Sequence, residues 1–408
     1  MLKFSFKNTY FLLVTTLFFL LISCNAQNKK NKEPELVIAA SNLDAYMSKI
    51  RGKNIAVVAN QTSVVKNQNG GYTHLVDTLL SLHINVKKVF APEHGFRGKA
   101  DAGEKVSNSI DTKTNLPIIS LYGKNKKPSA KDLEDIDILL FDIQDVGVRF
   151  YTYISTLHYV MEAASDLQKE VIVLDRPNPN GHYIDGPVLR EGFSSFVGMH
   201  PVPVVYGMTI GEYANMINGE DWMDSEYKCD LTVIPLQNYN RDSIYELPIK
   251  PSPNLPNAKA INLYPSLCFF EGTNVSCGRG TNEQFQIYGS PFLPADKYPF
   301  SFEPRPNEGA KYPKHNGKVC FGKDLSDRKM LSKINLNWLT DAYNETEDKE
   351  TFFLKNNFFN KLAGNDILMQ QIKDQDAVID IRASWIVKTR QFKKIRKNYL
   401  LYPEFSEK

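Results

Sequence analysis

An α/β fold, with a Rossmann-like, mainly parallel sheet carrying helices on both faces and a smaller second α+β domain, follows from three features of the chain. Short, mostly apolar and β-branched runs alternate with helical periodicities through the first half. Strands that read as near-continuous apolar runs belong to parallel sheets covered on both faces. Most of these runs end in polar or charged residues, as expected where such a sheet turns its carboxyl ends toward a ligand crevice. After Gly186-Pro187 the chain becomes richer in prolines and aromatics. About 370 residues beyond a leader exceed what one core usually supports. The predicted boundaries are residues 36–190 for the sheet domain and 191–408 for a second domain closing the cleft.

Lys3 and Lys7 precede an apolar run from Tyr10 to Ser23. A basic start and a run too short to span a bilayer comfortably make a secretory signal. Leu21-Ile-Ser-Cys24 resembles the bacterial lipobox, in which the cysteine becomes the lipidated first residue of the mature chain. Residues 1–23 are thus expected to be a lipoprotein signal peptide, and 24–35 a flexible polar tether. The plainer alternative is signal cleavage near Ala26. No other run approaches transmembrane length, so Cys24 would anchor an exported, otherwise soluble body to the membrane. Lys29, Lys30 and Lys32 stand where a surface-export signal would be acidic, which points to the periplasm.

The elements follow in order. Asn54–Ala59 predicts a strand, His74–Leu82 a helix with Leu75, Val76, Leu79, Leu80 and Leu82 on its apolar face, and Val86–Phe90 a second strand. Pro117–Leu121, Ile136–Ile143 and Val171–Leu174 predict further strands, with an amphipathic helix over Thr152–Leu167. The second half offers a helix at Ile210–Ile217, a strand at Leu231–Leu236, and a rigid loop Pro251-Ser-Pro-Asn254-Leu-Pro256. A short apolar run opens at Tyr264-Pro265, with helices near Trp338–Tyr343 and Asp366–Lys373 and an apolar-aromatic run at Ala383–Val387 beyond it. Lys393–Tyr402 reads as a packed end segment with solvated lysines.

A formal charge of +3 with both signs interspersed, and no nucleic-acid-binding signature, argue against a nucleic-acid partner. No GxGxxG follows the first strand and no GxxxxGK[ST] occurs, so no cofactor is expected. Cys229, Cys268, Cys277 and Cys320 form no CxxC pair and stand at no metal-binding spacing from a histidine. The strand ends carry the chemistry: Asn60-Gln61, Glu93-His94, Tyr122-Gly123, Asp142-Ile-Gln-Asp145 and Asp175-Arg176-Pro-Asn178. Arg149, just before a helix start, could hold an anion with the first-turn amides. Glu271 and Arg279 meet in a second Gly-rich loop.

Four blocks carry a family resemblance: Ala91-Pro-Glu-His-Gly-Phe-Arg97, Phe141-Asp-Ile-Gln-Asp-Val-Gly-Val-Arg-Phe-Tyr-Thr-Tyr153, Leu174-Asp-Arg-Pro-Asn-Pro179 and Phe270-Glu-Gly-Thr-Asn-Val-Ser276. They resemble the exo-β-N-acetylmuramidase family of the NamZ type, once a family of unknown function and now a glycoside hydrolase family. The resemblance runs from about Leu36 to Tyr402. It implies release of N-acetylmuramic acid from the non-reducing end of peptidoglycan fragments in a cleft between two domains, with the catalytic glutamate at Glu93.

The residues themselves agree. Glycoside cleavage ordinarily needs a carboxylic acid to protonate the leaving oxygen and a second group across the sugar ring. Glu93 is the candidate acid; Asp142, Asp145, Glu271 or the substrate's own acetamido oxygen could fill the second role. The lactyl carboxylate of muramic acid calls for a cation, for which Arg149, Arg176 and Arg279 are candidates. Tyr151, Tyr153 and Tyr264 offer faces for pyranose rings. Asn60, His94, Arg97, Asn254 and Asn274 complete the candidate substrate-binding set. Two rival readings stand beside this one: a metal-dependent hydrolase liganded by Glu93, His94, Asp142 and Asp145, and a non-catalytic peptidoglycan-binding lipoprotein on the same fold.

Overall fold

The computed structural model describes residues 34–67, 69–98, 108–242 and 245–405. The expected signal peptide and Cys24 lie outside the described residues, as does nearly all of the expected tether. Among the described residues twelve strands follow in chain order: β1 (Ile55–Ala59), β2 (Val64–Lys66), β3 (Tyr72–His74), β4 (Val86–Ala91), β5 (Ser109–Ile110), β6 (Pro117–Ser120), β7 (Ile138–Asp142), β8 (Glu170–Leu174), β9 (Asp230–Ile234), β10 (Ile287–Ser290), β11 (Phe300–Phe302) and β12 (Cys320–Asp324). Seven of them make the central sheet in the order β5-β6-β4-β1-β7-β8-β9. All its pairings are parallel except that of the two-residue edge strand β5 with β6. β1 and β7 are buried along their whole length, which is why they read as unbroken apolar runs.

The chain leaves β1 toward β4 and β6, then returns to build β7, β8 and β9 on the other side of β1. This reversal between β1 and β7 is the topological switch point of a doubly wound sheet. The predicted boundary at 190/191 cuts across the sheet, because β9 pairs in parallel with β8 over five residues. An edge strand contributed late in the chain leaves no local mark in sequence, since strand order is a property of tertiary pairing.

A smaller second domain follows, centred on the antiparallel sheet β10-β12-β11 and the helices Asn337–Glu345, Phe358–Ala363, Ile367–Lys373 and Val378–Arg396. Two apolar runs of uncertain type resolve as helix: Tyr264-Pro265 lies inside Ala258–Leu267, and Ala383–Val387 inside Val378–Arg396. Pro265 lacks the N–H that would bond the Ile261 carbonyl. Asn180 Nδ2 donates to that carbonyl instead, at 3.1 Å. The carboxy-terminal segment packs back on the sheet domain, with Tyr402 Oη donating to Asp175 Oδ2 at 2.5 Å and Leu401 N to Glu212 Oε1 at 2.8 Å.

Helix Tyr153–Asp166 was expected to be amphipathic, yet nearly all of it is buried. Its polar residues are satisfied internally: Ser155 Oγ donates to the Phe196 carbonyl at 2.8 Å, and His158 Nε2 meets Glu162 at 3.1 Å. Its amino-terminal end reaches the main cleft and fixes the site's floor.

Candidate active site

Strand β4 ends at Ala91, and Pro92 to Gly95 form a tight turn closed by Gly95 N donating to the Pro92 carbonyl at 3.0 Å. His94 sits in this turn at φ 70°, a left-handed conformation that costs a non-glycine residue about 1 kcal/mol or more. The turn places Glu93 at its tip, where two donors hold the carboxylate. Tyr122 Oη, just past β6, donates to Oε1 at 2.9 Å, and Thr152 Oγ1, at the start of helix Tyr153–Asp166, donates to Oε2 at 2.8 Å. Three elements of the sheet domain therefore converge on one carboxyl group.

Glu93 and His94 line a cleft of about 1070 Å³. The sheet domain contributes Tyr122, Lys126, Tyr151, Thr152 and Phe196 to it, and the second half of the chain adds Asn254, Tyr264, Glu271, Arg279 and Lys314. Tyr151, Tyr264 and Phe285 form an edge-to-face aromatic wall, with centroids 6.1 Å and 4.8 Å apart. Arg279 Nε lies 2.5 Å from Glu271 Oε1, an ion pair by distance although its N–H is not aimed along the contact. Burial works against the Arg279 charge, but the Glu271 carboxylate together with Cys277, Tyr264 and Cys268 outweighs it and raises the guanidinium above its ordinary value. Lys314 Nζ caps the carbonyls of Phe270 and Val275, each at 3.0 Å, and that of Thr273. Burial lowers its pKa.

Several candidates prove to be structural. Asp142, expected as a second catalytic group, is fully buried and bonded in bidentate fashion by Arg176, Nε to Oδ1 at 2.6 Å and Nη2 to Oδ2 at 2.8 Å. Arg176, a candidate for the lactyl carboxylate, is consumed by the same pair. Asp145 is also buried; it accepts from Gly147 N at 2.6 Å and from Tyr206 Oη. Desolvation pushes its carboxyl up to about 6. Gly147 is at φ 74°, and a Cβ there would run into the Asn178 amide, so only glycine allows this turn.

Arg149 is the plainest correction. It is fully buried, and its guanidinium donates to the carbonyls of Pro187 and Val202 at 2.7 Å, Leu362 at 2.9 Å and Ala363 at 2.8 Å. It closes the carboxyl end of helix Phe358–Ala363 rather than meeting an anion at the start of Tyr153–Asp166. Arg97 is likewise engaged elsewhere, with Asp111 at 2.7 Å and Asp77 at 3.5 Å. Asn60 and Tyr153 lie one layer beneath the cleft, joined at 2.8 Å. Asn274 Nδ2 contacts Thr351 at 3.5 Å, outside the cleft lining.

The cleft is thus displaced from the switch point. There, Asp142–Arg176 joins Ser63 Oγ donating to the Asp142 carbonyl and Gln144 N donating to Thr62 Oγ1 at 3.0 Å, and the polar strand ends satisfy one another. The ligand set of a metal hydrolase is not assembled, since Asp142 is buried against Arg176. Among the described residues no group of three or more such side chains is placed to hold a metal ion.

Two family models match the chain: the N-terminal part of the exo-β-N-acetylmuramidase NamZ over residues 55–259, and its C-terminal part over residues 262–402. The chain belongs to the NamZ exo-β-N-acetylmuramidase family. It is 38% identical over 403 residues to the peptidoglycan β-N-acetylmuramidase NamZ of Bacillus subtilis, covering 93% of this chain and 94% of that protein. It is also similar to two crystal structures of DUF1343 family proteins from Bacteroides fragilis. One is 45% identical with a TM-score of 0.82, the other 27% with 0.76; each match covers 91% of this chain and 100% of the other. The junction between the two NamZ models falls at the start of helix Ala258–Leu267, after β9 has completed the sheet.

Within this NamZ-family cleft, sequence reasoning located Glu93, His94, Tyr151, Asn254, Tyr264, Glu271 and Arg279, but assigned no role to Thr152, Lys126, Phe196 or Lys314. Tyr122 was visible as a strand end, and Thr152 stands inside the Phe141–Tyr153 block. Phe196 had a weaker signal, an aromatic in the Gly/Ser-containing loop Gly192-Phe-Ser-Ser-Phe-Val-Gly198.

Proposed function

We propose that the cleft is an exo-acting glycosidase site that releases N-acetylmuramic acid from the non-reducing end of peptidoglycan glycan fragments, with Glu93 as the proton donor. The observation that carries the assignment of roles is the placement of Glu93, presented at a turn tip into the cleft with each carboxylate oxygen held by a hydroxyl. Both hydroxyls can accept as well as donate, so the same pair serves the protonated and the ionised carboxyl. Glu93 gives its proton to the leaving oxygen as positive charge develops at the anomeric carbon. Glu271 is the other carboxylate among the described lining residues. The second function falls to it or, where the 2-acetamido group participates, to the substrate itself. The aromatic wall of Tyr151, Tyr264 and Phe285 suits the apolar faces of a pyranose.

Glu93→Gln keeps size and polarity but removes the transferable proton. Turnover of an aryl N-acetylmuramide should fall by about 10²-fold or more with an unchanged melting temperature. Wild-type rates in this variant would make Glu93 structural. Failure of the parent protein to cleave any muramide would instead favour a binding protein. Export and anchoring through Cys24 are part of the same reading, supported by the Leu21-Ile-Ser-Cys24 pattern. The protein should partition into detergent and Cys24→Ser should not; equal partition of the two would overturn the anchor.

A further inference from the structure

A site for a muramic acid needs a cation for its carboxylate, and four cationic side chains line the cleft among the described residues: Lys126, Lys311, Lys314 and Arg279. Arg279 is paired with Glu271, Lys314 is spent on three backbone carbonyls, and Lys311 has an interaction of its own within the chain. Lys126 differs. Its ammonium stands 4.4 Å from the centroid of the Phe196 ring and meets no carboxylate among the described residues. The neighbouring Lys127 is taken up by Glu162 at 2.9 Å and Asp166 at 2.7 Å.

The platform under Lys126 is anchored. The Phe196 carbonyl accepts from Ser155 Oγ at 2.8 Å, and the ring stacks on Tyr159 at 6.3 Å with an interplanar angle of 15°. Both partners belong to helix Tyr153–Asp166, whose start also supplies the Thr152 neighbour of Glu93. On another side Phe196 lies 6.3 Å from Tyr122, the residue whose hydroxyl holds Glu93. A cation–π contact is weak but directional, and it narrows the volume a flexible lysine explores without neutralising it. The result is an ammonium restrained one aromatic ring away from the residue that positions the acid.

We infer that Lys126, held over Phe196, is the specificity-determining cation of this cleft and binds a carboxylate of the muramic substrate. The inference rests on the glycosidase reading above and deepens it. The carboxylate can belong to the sugar being released or to a second muramic unit in the leaving portion, and the two share one chemistry, an alkyl carboxylate on a lactyl ether.

The test uses the full chain with four substrates: an aryl N-acetylmuramide, its lactyl methyl ester, the matching N-acetylglucosaminide, and a tetrasaccharide of alternating muramic acid and glucosamine. Lys126→Ala should lower kcat/KM on the free-acid muramide about tenfold, chiefly through KM, the effect expected of one partly exposed charged hydrogen bond. The methyl ester and the glucosaminide should be unaffected. Lys126→Arg should restore most of the loss, and Lys124→Ala, at an exposed neighbouring position, should match the parent. If the carboxylate lies in the leaving portion, the aryl muramide will be untouched and only the tetrasaccharide will lose the factor. Equal losses on charged and neutral substrates, or none on any anionic one, would overturn the inference. A parent protein inactive on every muramide would defeat the functional reading instead.

Discussion

Replacing Arg149 should cost stability and leave selectivity alone, the reverse of what its place before a helix start suggests. Its guanidinium is fully buried and donates to four carbonyls, two of them in the last turn of helix Phe358–Ala363. The cap Gly364 sits at φ 73°, and a Cβ there would come within 2.7 Å of Nη2, so helix end and arginine fit as one unit. Burial pushes the guanidinium down to about 9, which still leaves it charged at neutral pH. Each charged hydrogen bond is worth roughly 1.5–3 kcal/mol. The desolvation of the cation opposes their sum, so losing the group and stranding four carbonyl acceptors should cost about 3–5 kcal/mol. For a chain of this size that corresponds to a fall of roughly 4–6 °C in melting temperature. Thermal melts and urea titrations of Arg149→Ala measure the loss. Arg149→Lys, with one compact ammonium in place of a fork, should fall between. The ratio of muramide to glucosaminide cleavage, measured well below the melt, should equal the parent's. A variant melting within about 1 °C of the parent and showing a tenfold narrower ratio would refute the structural assignment.

Asp145 sets a pH dependence. Its folded-state pKa of about 6 lies above the unfolded carboxylate value, so its protonated form contributes stability that is lost as pH rises through about 6. Relative to Asp145→Asn, which does not titrate, the parent should gain about 2 kcal/mol as pH is lowered from 7 to 4. A constant difference across that range would show that Asp145 does not titrate there. Cys24 makes an orientation prediction: protease added to intact cells should spare the protein, and digestion would place it on the outer surface.

Much of the sheet was legible because strands buried on both faces must be apolar along their length. β1, β4, β7 and β8 each fall within about two residues of the expected bounds. The candidate acid was legible as well. A glutamate and histidine after a proline, among glycines at a strand's carboxyl end, mark a loop built to present side chains. Helical periodicity in the second half was less readable where Pro265 interrupts Ala258–Leu267, since the residue that rescues its orphaned carbonyl, Asn180, lies far away in the chain.

The sequence alone determined the class of fold, the positions of most strands and helices and the loop that carries Glu93. These are local properties, written in runs of side chains a few residues apart. Only the tertiary structure decided which polar strand ends face the cleft and which face each other. Asp142 reads as a candidate second catalytic group beside Glu93, and Arg176 as a candidate cation for the substrate, until the order of β1, β7 and β8 brings them into a buried bidentate pair. Arg149 looks like an anion site until residues 362 and 363, more than two hundred positions later, bring their carbonyls to it. A buried charge must find partners wherever the fold supplies them. Among the described residues Lys126 meets no carboxylate, and that too is a property of the tertiary structure, which turns Arg279 to Glu271 and Lys314 to backbone carbonyls.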